Sequence, residues 1–102
     1  MFRYKRKPTS PGEILKEEFL EPLGITQKQL ADHIGCDYKV INRIVNEKAA
    51  LTPDVATRLS CAFETTPQFW LNAQMAIDLW KQLKKQYKIS SLLKRSKNRK
   101  AA

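Results

Sequence analysis

The stretch Thr26–Lys48, TQKQLADHIGCDYKVINRIVNEK, leaves this chain few alternatives. Thr26 with Gln29 three residues on is a reciprocal capping signal: the hydroxyl takes a backbone N–H of the new helix, and the amide oxygen takes the N–H of the cap. Leu30, Ala31 and Ile34 then recur at helical spacing. Gly35 predicts the stop, because a residue without Cβ enters the left-handed conformation that closes a helix. Cys36 is expected as a small buried turn residue, and Asp37 as the cap of a second helix. That helix places Val40, Ile41, Ile44 and Val45 on its apolar face. The product is two short helices joined by a tight turn. Ala31 must be small where the helices cross, and Ile41 fills the gap between them.

The second helix leaves Tyr38, Lys39, Asn42, Arg43 and Asn46 on its outer face, with two cations and no acid. Such a face suits base edges and phosphates in a major groove. Lys39, Asn42 and Arg43 are the expected base readers, flanked by Tyr38 and Asn46, and Arg43 has the fork for a bidentate pair with guanine. Thr26, Gln27 and Lys28, at the start of the first motif helix, suit phosphate or an adjacent base. Lys48 is expected on the backbone. The competing reading is an ordinary helical hairpin with a polar outer face.

Around this motif the chain reads as all-α. Ser10, Pro11 and Glu13 start a first helix, SPGEILKEEFL, with Ile14, Leu15 and Phe19 inward and Pro22, Leu23 and Gly24 as its end. Glu13, Glu17, Glu18 and Glu21 make an acidic surface, either simply solvated or a docking face for a basic protein. Glu47 to Leu51 reads as a loop. Thr52-Pro53 opens the next helix, with Val55, Ala56, Leu59, Ala62 and Phe63 as its stripe, and Thr66-Pro67 opens a long one reaching about Tyr87. This last helix carries more apolar residues than one face can hold. The surplus, Leu79, Trp80 and Leu83, predicts a dimer interface, unless the tail folds back over Trp80. No segment shows strand alternation. The expectation is a compact five-helix domain over residues 10–87, with a basic arm at 1–9 and a basic tail at 88–102. Phe2 and Tyr4 alternate with cations, which admits a short strand or a groove-inserting arm. Tyr87 to Leu93 continues the helix or frays, and Lys94 to Ala102 is expected to be disordered.

Charge sharpens the picture. The chain of 102 residues carries a net charge of +9. Arg3, Lys5, Arg6 and Lys7 supply four of the positive charges, and the residues from Lys84 onward supply eight with no acid among them. The middle is therefore slightly acidic, between two basic ends suited to a polyanion. The length means one domain, small enough that dimerisation would help it. No apolar run approaches membrane-spanning length, and no apolar stretch follows the basic start as it would in a signal peptide. Cys36 and Cys61 suggest free thiols and a cytoplasmic setting. With the lone His33 they make no metal cluster, and no cofactor is expected. Catalysis needs a poised acid or base, and one surface histidine without a Gly-rich phosphate loop argues against an enzyme.

The spacing of Leu30, Ala31, Ile34, Gly35, Cys36, Ile41 and Ile44 resembles the helix-turn-helix of phage-repressor-type (XRE-like) regulators. The resemblance extends further. PTSPGEILKEEFLEPLGITQKQLA and PDVATRLSCAFETTPQFWLNAQ look like the HigA/VapI family of antitoxins, over roughly residues 8 to 80. It implies an antitoxin of a type II toxin–antitoxin module: a homodimer that binds palindromic operator DNA, represses its own operon and neutralises a small basic RelE-like mRNA endonuclease by direct contact. Glu13, Glu17, Glu18 and Glu21 are the candidate toxin contacts. The Lys/Arg-rich tail departs from the compact family pattern. A free-standing repressor of the same fold, without a toxin, is the alternative.

Overall fold

The computed structural model describes residues 6–93, which contain five helices and no strand. The expectations for the first residues of the arm and for Lys94–Ala102 lie outside that range. Helix α1 covers residues 11–23. Its start is the reciprocal cap read from the sequence: the Glu13 N–H donates to Ser10 Oγ at 3.2 Å, and the Ser10 N–H to Glu13 Oε1 at 3.5 Å. The backbone passes from an α turn (Pro11–Ile14) into a wider π-helical stretch (Leu15–Leu20), then closes with an α turn (Glu21–Leu23). Pro22 thus sits inside the helix rather than ending it. A proline has no N–H to donate and crowds the carbonyl four residues back. The five-residue register just before it, with the Glu21 N–H on Lys16 O, opens that crowded turn. Gly24, at φ 66°, makes the actual stop.

Helix α2 (Gln27–Ile34) and helix α3 (Tyr38–Val45) form the helix-turn-helix. Helix α4 (Pro53–Phe63) and helix α5 (Pro67–Leu83) follow, capped by Thr52 and Thr66. The core gathers one face of each helix: Leu15 and Leu20, Leu30 and Ala31, Ile41 and Ile44, Val55, Ala56 and Leu59, and Trp70. Trp70 is fully buried. Its indole N–H donates to Thr65 Oγ1 at 2.7 Å, so burial strands no polar atom. Phe19 packs between Phe63 and Trp70, with ring centroids 4.7 and 5.4 Å away.

Three expectations need correction. Val40 does not join the core: it is 38% exposed, at the edge of α3's outer face. Cys36 is half-buried rather than buried, while Cys61 is exposed. Helix α5 stops at Leu83, short of Tyr87. Beyond that point Lys84, Lys85 and Lys88 bring repulsion without acids to offset it, and no core lies beneath to stabilise further turns. Leu79 and Trp80 are half-buried and Leu83 is 49% exposed. The described part of the tail, residues 88–93, does not cover them: Lys84 Nζ stands 4.4 Å over the Trp80 ring, but Ile89 and Leu92 are 79% and 97% exposed.

Candidate nucleic-acid interface

The two motif helices are held by local chemistry. Gln29 and Thr26 exchange bonds of 3.0 and 2.9 Å across the start of α2. At its end Gly35 takes φ 74°, and the N–H groups of Gly35 and Cys36 both return to Ala31 O. Asp37 Oδ1 accepts the Lys39 N–H at 2.8 Å and starts α3. Ala31 and Ile41 have no exposed surface where the helices cross.

At about 100° per residue, Lys39 and Asn46 lie at the centre of α3's outer face, with Asn42 and Arg43 beside them and Tyr38 and Val40 at its edges. The structure links part of this face to α2. Asn42 Nδ2 lies 3.0 Å from Gln27 Oε1 and 3.4 Å from the Tyr38 hydroxyl, and Asn42 Oδ1 accepts from Asn46 Nδ2 at 3.3 Å. Gln27, Tyr38, Asn42 and Asn46 are therefore one polar chain spanning both helices, with Asn42 at its centre. The ion pairs among the described residues are Lys7–Glu47, Lys28–Asp32 and Arg58–Asp54, so Lys39 and Arg43 keep unpaired charges on the same face. Thr26, Lys28 and Lys48 are also exposed, although Lys28 leans toward Asp32 at 3.7 Å. Glu17, Glu18 and Glu21 remain exposed on α1. Glu13 does not join them freely, because its carboxylate is taken up by the Ser10 cap.

Four supports escaped the sequence reading. Gly12 lies against the end of α3: a Cβ built there would stand 2.8 Å from Val45 Cα and closer still to Ile44 O, so only glycine lets the two helices approach this far. Arg58 reaches from α4 to the motif turn, with Nη1 donating to Ile34 O at 2.7 Å and Gly35 O at 3.3 Å. It puts a cation on the negative end of α2's dipole and is braced by Asp54 at 3.1 Å. The Asp54/Arg58 spacing was visible; the carbonyls it serves were not. Gln74 on α5 accepts the Leu51 N–H at 2.8 Å, fastening the loop after α3 to the last helix. Lys7 pairs with Glu47 at 2.6 Å, just beyond α3. Burial pushes the Cys36 thiol upward, so it stays neutral as packing. Among the described residues no cluster of three metal-ligating side chains exists, and no helix is long and apolar enough to cross a membrane.

A helix-turn-helix family model, HTH_3, matches residues 16–70. Antitoxin HigA-1 of Vibrio cholerae is 49% identical over 80 residues, covering 78% of this chain and 75% of that protein. Among solved structures, antitoxin GraA superposes with a TM-score of 0.75 at 40% identity, over 78% of this chain and 85% of GraA; it is also known in complex with its operator. Pseudomonas aeruginosa antitoxin HigA, solved with the higBA promoter, superposes with a TM-score of 0.74 at 35% identity, over 85% of this chain and all of that one. The chain belongs to the HigA family of helix-turn-helix antitoxins, DNA-binding regulators rather than enzymes.

Proposed function

We propose that this chain is the DNA-binding antitoxin of a type II toxin–antitoxin module, acting as a homodimer on a palindromic operator and neutralising a small basic RelE-like endonuclease by direct contact. The observation that carries the DNA reading is the single outer face of α3, where the Gln27–Tyr38–Asn42–Asn46 chain stands beside unpaired Lys39 and Arg43. Amides already held by one another lose little freedom when they meet a base edge. Arg43 then supplies bidentate contact to guanine, worth about 1–3 kcal/mol of discrimination. Exposed Val40 offers an apolar atom to a thymine methyl at the edge of the same face. Thr26, Lys28 and Lys48 take phosphates. Leu79, Trp80 and Leu83 pair two copies, which sets two recognition helices about one DNA turn, or ~34 Å, apart. GraA and HigA, each solved with its own regulatory DNA, support the operator reading. The exposed acids Glu17, Glu18 and Glu21 support a basic protein partner.

Two experiments test this. In an operator titration, the double substitution Asn42→Ala with Arg43→Ala should abolish sequence preference and leave the circular dichroism spectrum unchanged. Wild-type affinity should fall about 10³–10⁵-fold between 50 and 200 mM salt if six to ten phosphates are met. For the partner, the neighbouring small open reading frame is expressed alone and with this chain. Growth arrest relieved by a co-purifying complex supports the antitoxin; no arrest and no complex leaves a plain dimeric repressor.

A further inference from the structure

We propose that the cavity between α3 and the loop leading into α4 takes the C5-methyl group of a pyrimidine, at the base step where Arg43 meets its guanine. The protein then reads a methyl group at that position and accepts 5-methylcytosine as well as thymine. This rests on the operator reading above and deepens it, adding a response to cytosine methylation of the operator.

The cavity follows from the pitch of α3. At about 100° per residue, Val40 lies about 60° around the helix from Arg43 but about 160° from Asn42. The outer face therefore has two halves. Asn42 and its amide chain lean toward α2. Arg43 and Val40 lean the other way, toward Ala49, Ala50 and the start of α4, and these residues border a cavity of about 370 Å³. Its floor is Ile44 and Val55, both buried. Backbone bonds hold the walls in place: the Lys48 N–H returns to Arg43 O at 2.8 Å and the Glu47 N–H to Ile44 O at 3.1 Å. Thr52 Oγ1 accepts the Val55 N–H at 3.3 Å, and Gln74 holds Leu51. A cavity formed in advance costs little ordering when it is filled.

Its chemistry selects a methyl group. In the major groove thymine presents a C5-methyl, and cytosine presents the same group once methylated at C5. Water against aliphatic walls finds few partners, so an apolar group displaces it favourably. A phosphate is the poorer occupant. The Ile44 and Val55 side chains offer it no hydrogen bond, and Asp37, whose Oδ1 accepts the Lys39 N–H at 2.8 Å, brings an acid to the rim. Lys39 and Arg43 stand at the same rim without ion-pair partners among the described residues, which draws DNA over the opening. A pyrimidine immediately 5′ of a guanine carries its C5 substituent beside that guanine's N7 and O6. Arg43 and the cavity next to it thus read a pyrimidine–guanine step together.

The test uses the full-length chain and a duplex selected by the wild type from a random pool. The guanine is located as the position whose preference disappears in Arg43→Ala. Four duplexes then carry thymine, uracil, cytosine or 5-methylcytosine immediately before it; uracil and cytosine lack the methyl. Wild type should prefer thymine over uracil, and 5-methylcytosine over cytosine, by about fourfold per half-site and about fifteenfold over two. In Val40→Ala, and in Ala50→Gln, which puts an amide into the cavity, both ratios should fall toward one. Equal wild-type binding within both pairs overturns the methyl contact. Ratios unchanged in both variants overturn the cavity as its place. A selected duplex with no pyrimidine before the guanine overturns this inference alone. A wild-type chain that enriches no duplex overturns the operator reading itself, and this inference with it.

Discussion

In an exposed helix, replacing glycine by alanine gains about 1 kcal/mol. At Gly12 the sign should reverse. The new Cβ would lie 2.8 Å from Val45 Cα and 2.9 Å from the Ile44 carbonyl carbon, with Ile44 O nearer than either. Favourable carbon contacts lie at about 3.5–4.0 Å, so the shortfall is roughly 0.7 Å or more. The atoms met are backbone, not the ends of flexible side chains, so relief requires α1 and α3 to move apart. Overpacking costs about 1–3 kcal/mol, and where the obstacle is backbone the upper part of that range, about 2–3 kcal/mol, applies; after the alanine gain a net loss of about 1–2 kcal/mol remains. For a domain of this size that lowers Tm by roughly 5–15 °C. The displaced element is the one carrying Asn42 and Arg43. A shift of about 0.7 Å takes a 2.9 Å hydrogen bond out of range, so operator affinity should fall by more than the stability loss alone explains. Thermal denaturation and an operator titration read the two effects separately. Gly24→Ala is the control: nothing lies within 4 Å of its Cβ, but φ is +66°, so it should cost about 1 kcal/mol and leave operator affinity unchanged. A Gly12→Ala protein with wild-type Tm and affinity would refute the close-approach argument.

Other outcomes follow from the same contacts. Arg58→Ala strips the guanidinium from the Ile34 and Gly35 carbonyls, and should cost about 1–2 kcal/mol in urea unfolding; an unchanged midpoint would show that water replaces it fully. Trp80→Glu should yield a monomer in sedimentation and weaken operator binding, and a persistent dimer would move the interface elsewhere. The Lys7–Glu47 pair should contribute under about 1 kcal/mol, as exposed pairs do. The Glu47 carboxyl is lowered, so this contribution is present at neutral pH and is lost as pH falls through the acidic carboxylate range. The Lys7 ammonium is raised, so it is lost again only above the ordinary lysine range. The Tm gap between wild type and Glu47→Gln should therefore hold near neutrality and close below about pH 4.

The residues that could be read in advance are those whose partners lie within a turn or two. Ser10, Thr26, Asp37, Thr52 and Thr66 all cap as expected, because a cap is settled by the next three residues. Gly35 closes α2 for the same reason. What went unread depends on neighbours far along the chain. Arg58 serves carbonyls 24 and 23 residues away, and Lys7 meets Glu47 across 40. Gly12 looked like an ordinary residue in a helix's first turn; its reason is α3. Val40 shows the limit of periodicity, since an apolar residue at the margin of a stripe faces core or solvent according to where the next element passes. The end of α5 failed similarly: the pattern ran on, but the packing beneath it did not.

The bond from Gln74 to the Leu51 N–H ties α5 to the loop leaving α3, and Trp70 locks the same helix into the core. In the proposed dimer no soft joint separates the pairing surface from the reading surface. The two half-sites are then gauged by something like a fixed caliper. One base pair inserted between them rotates the second half-site by about 34–36°, and the proposed dimer has no joint between α5 and α3 to absorb that rotation. For such a dimer, misfit in operator phasing falls on the twist of the DNA, which would make the central, untouched base pairs part of what it selects.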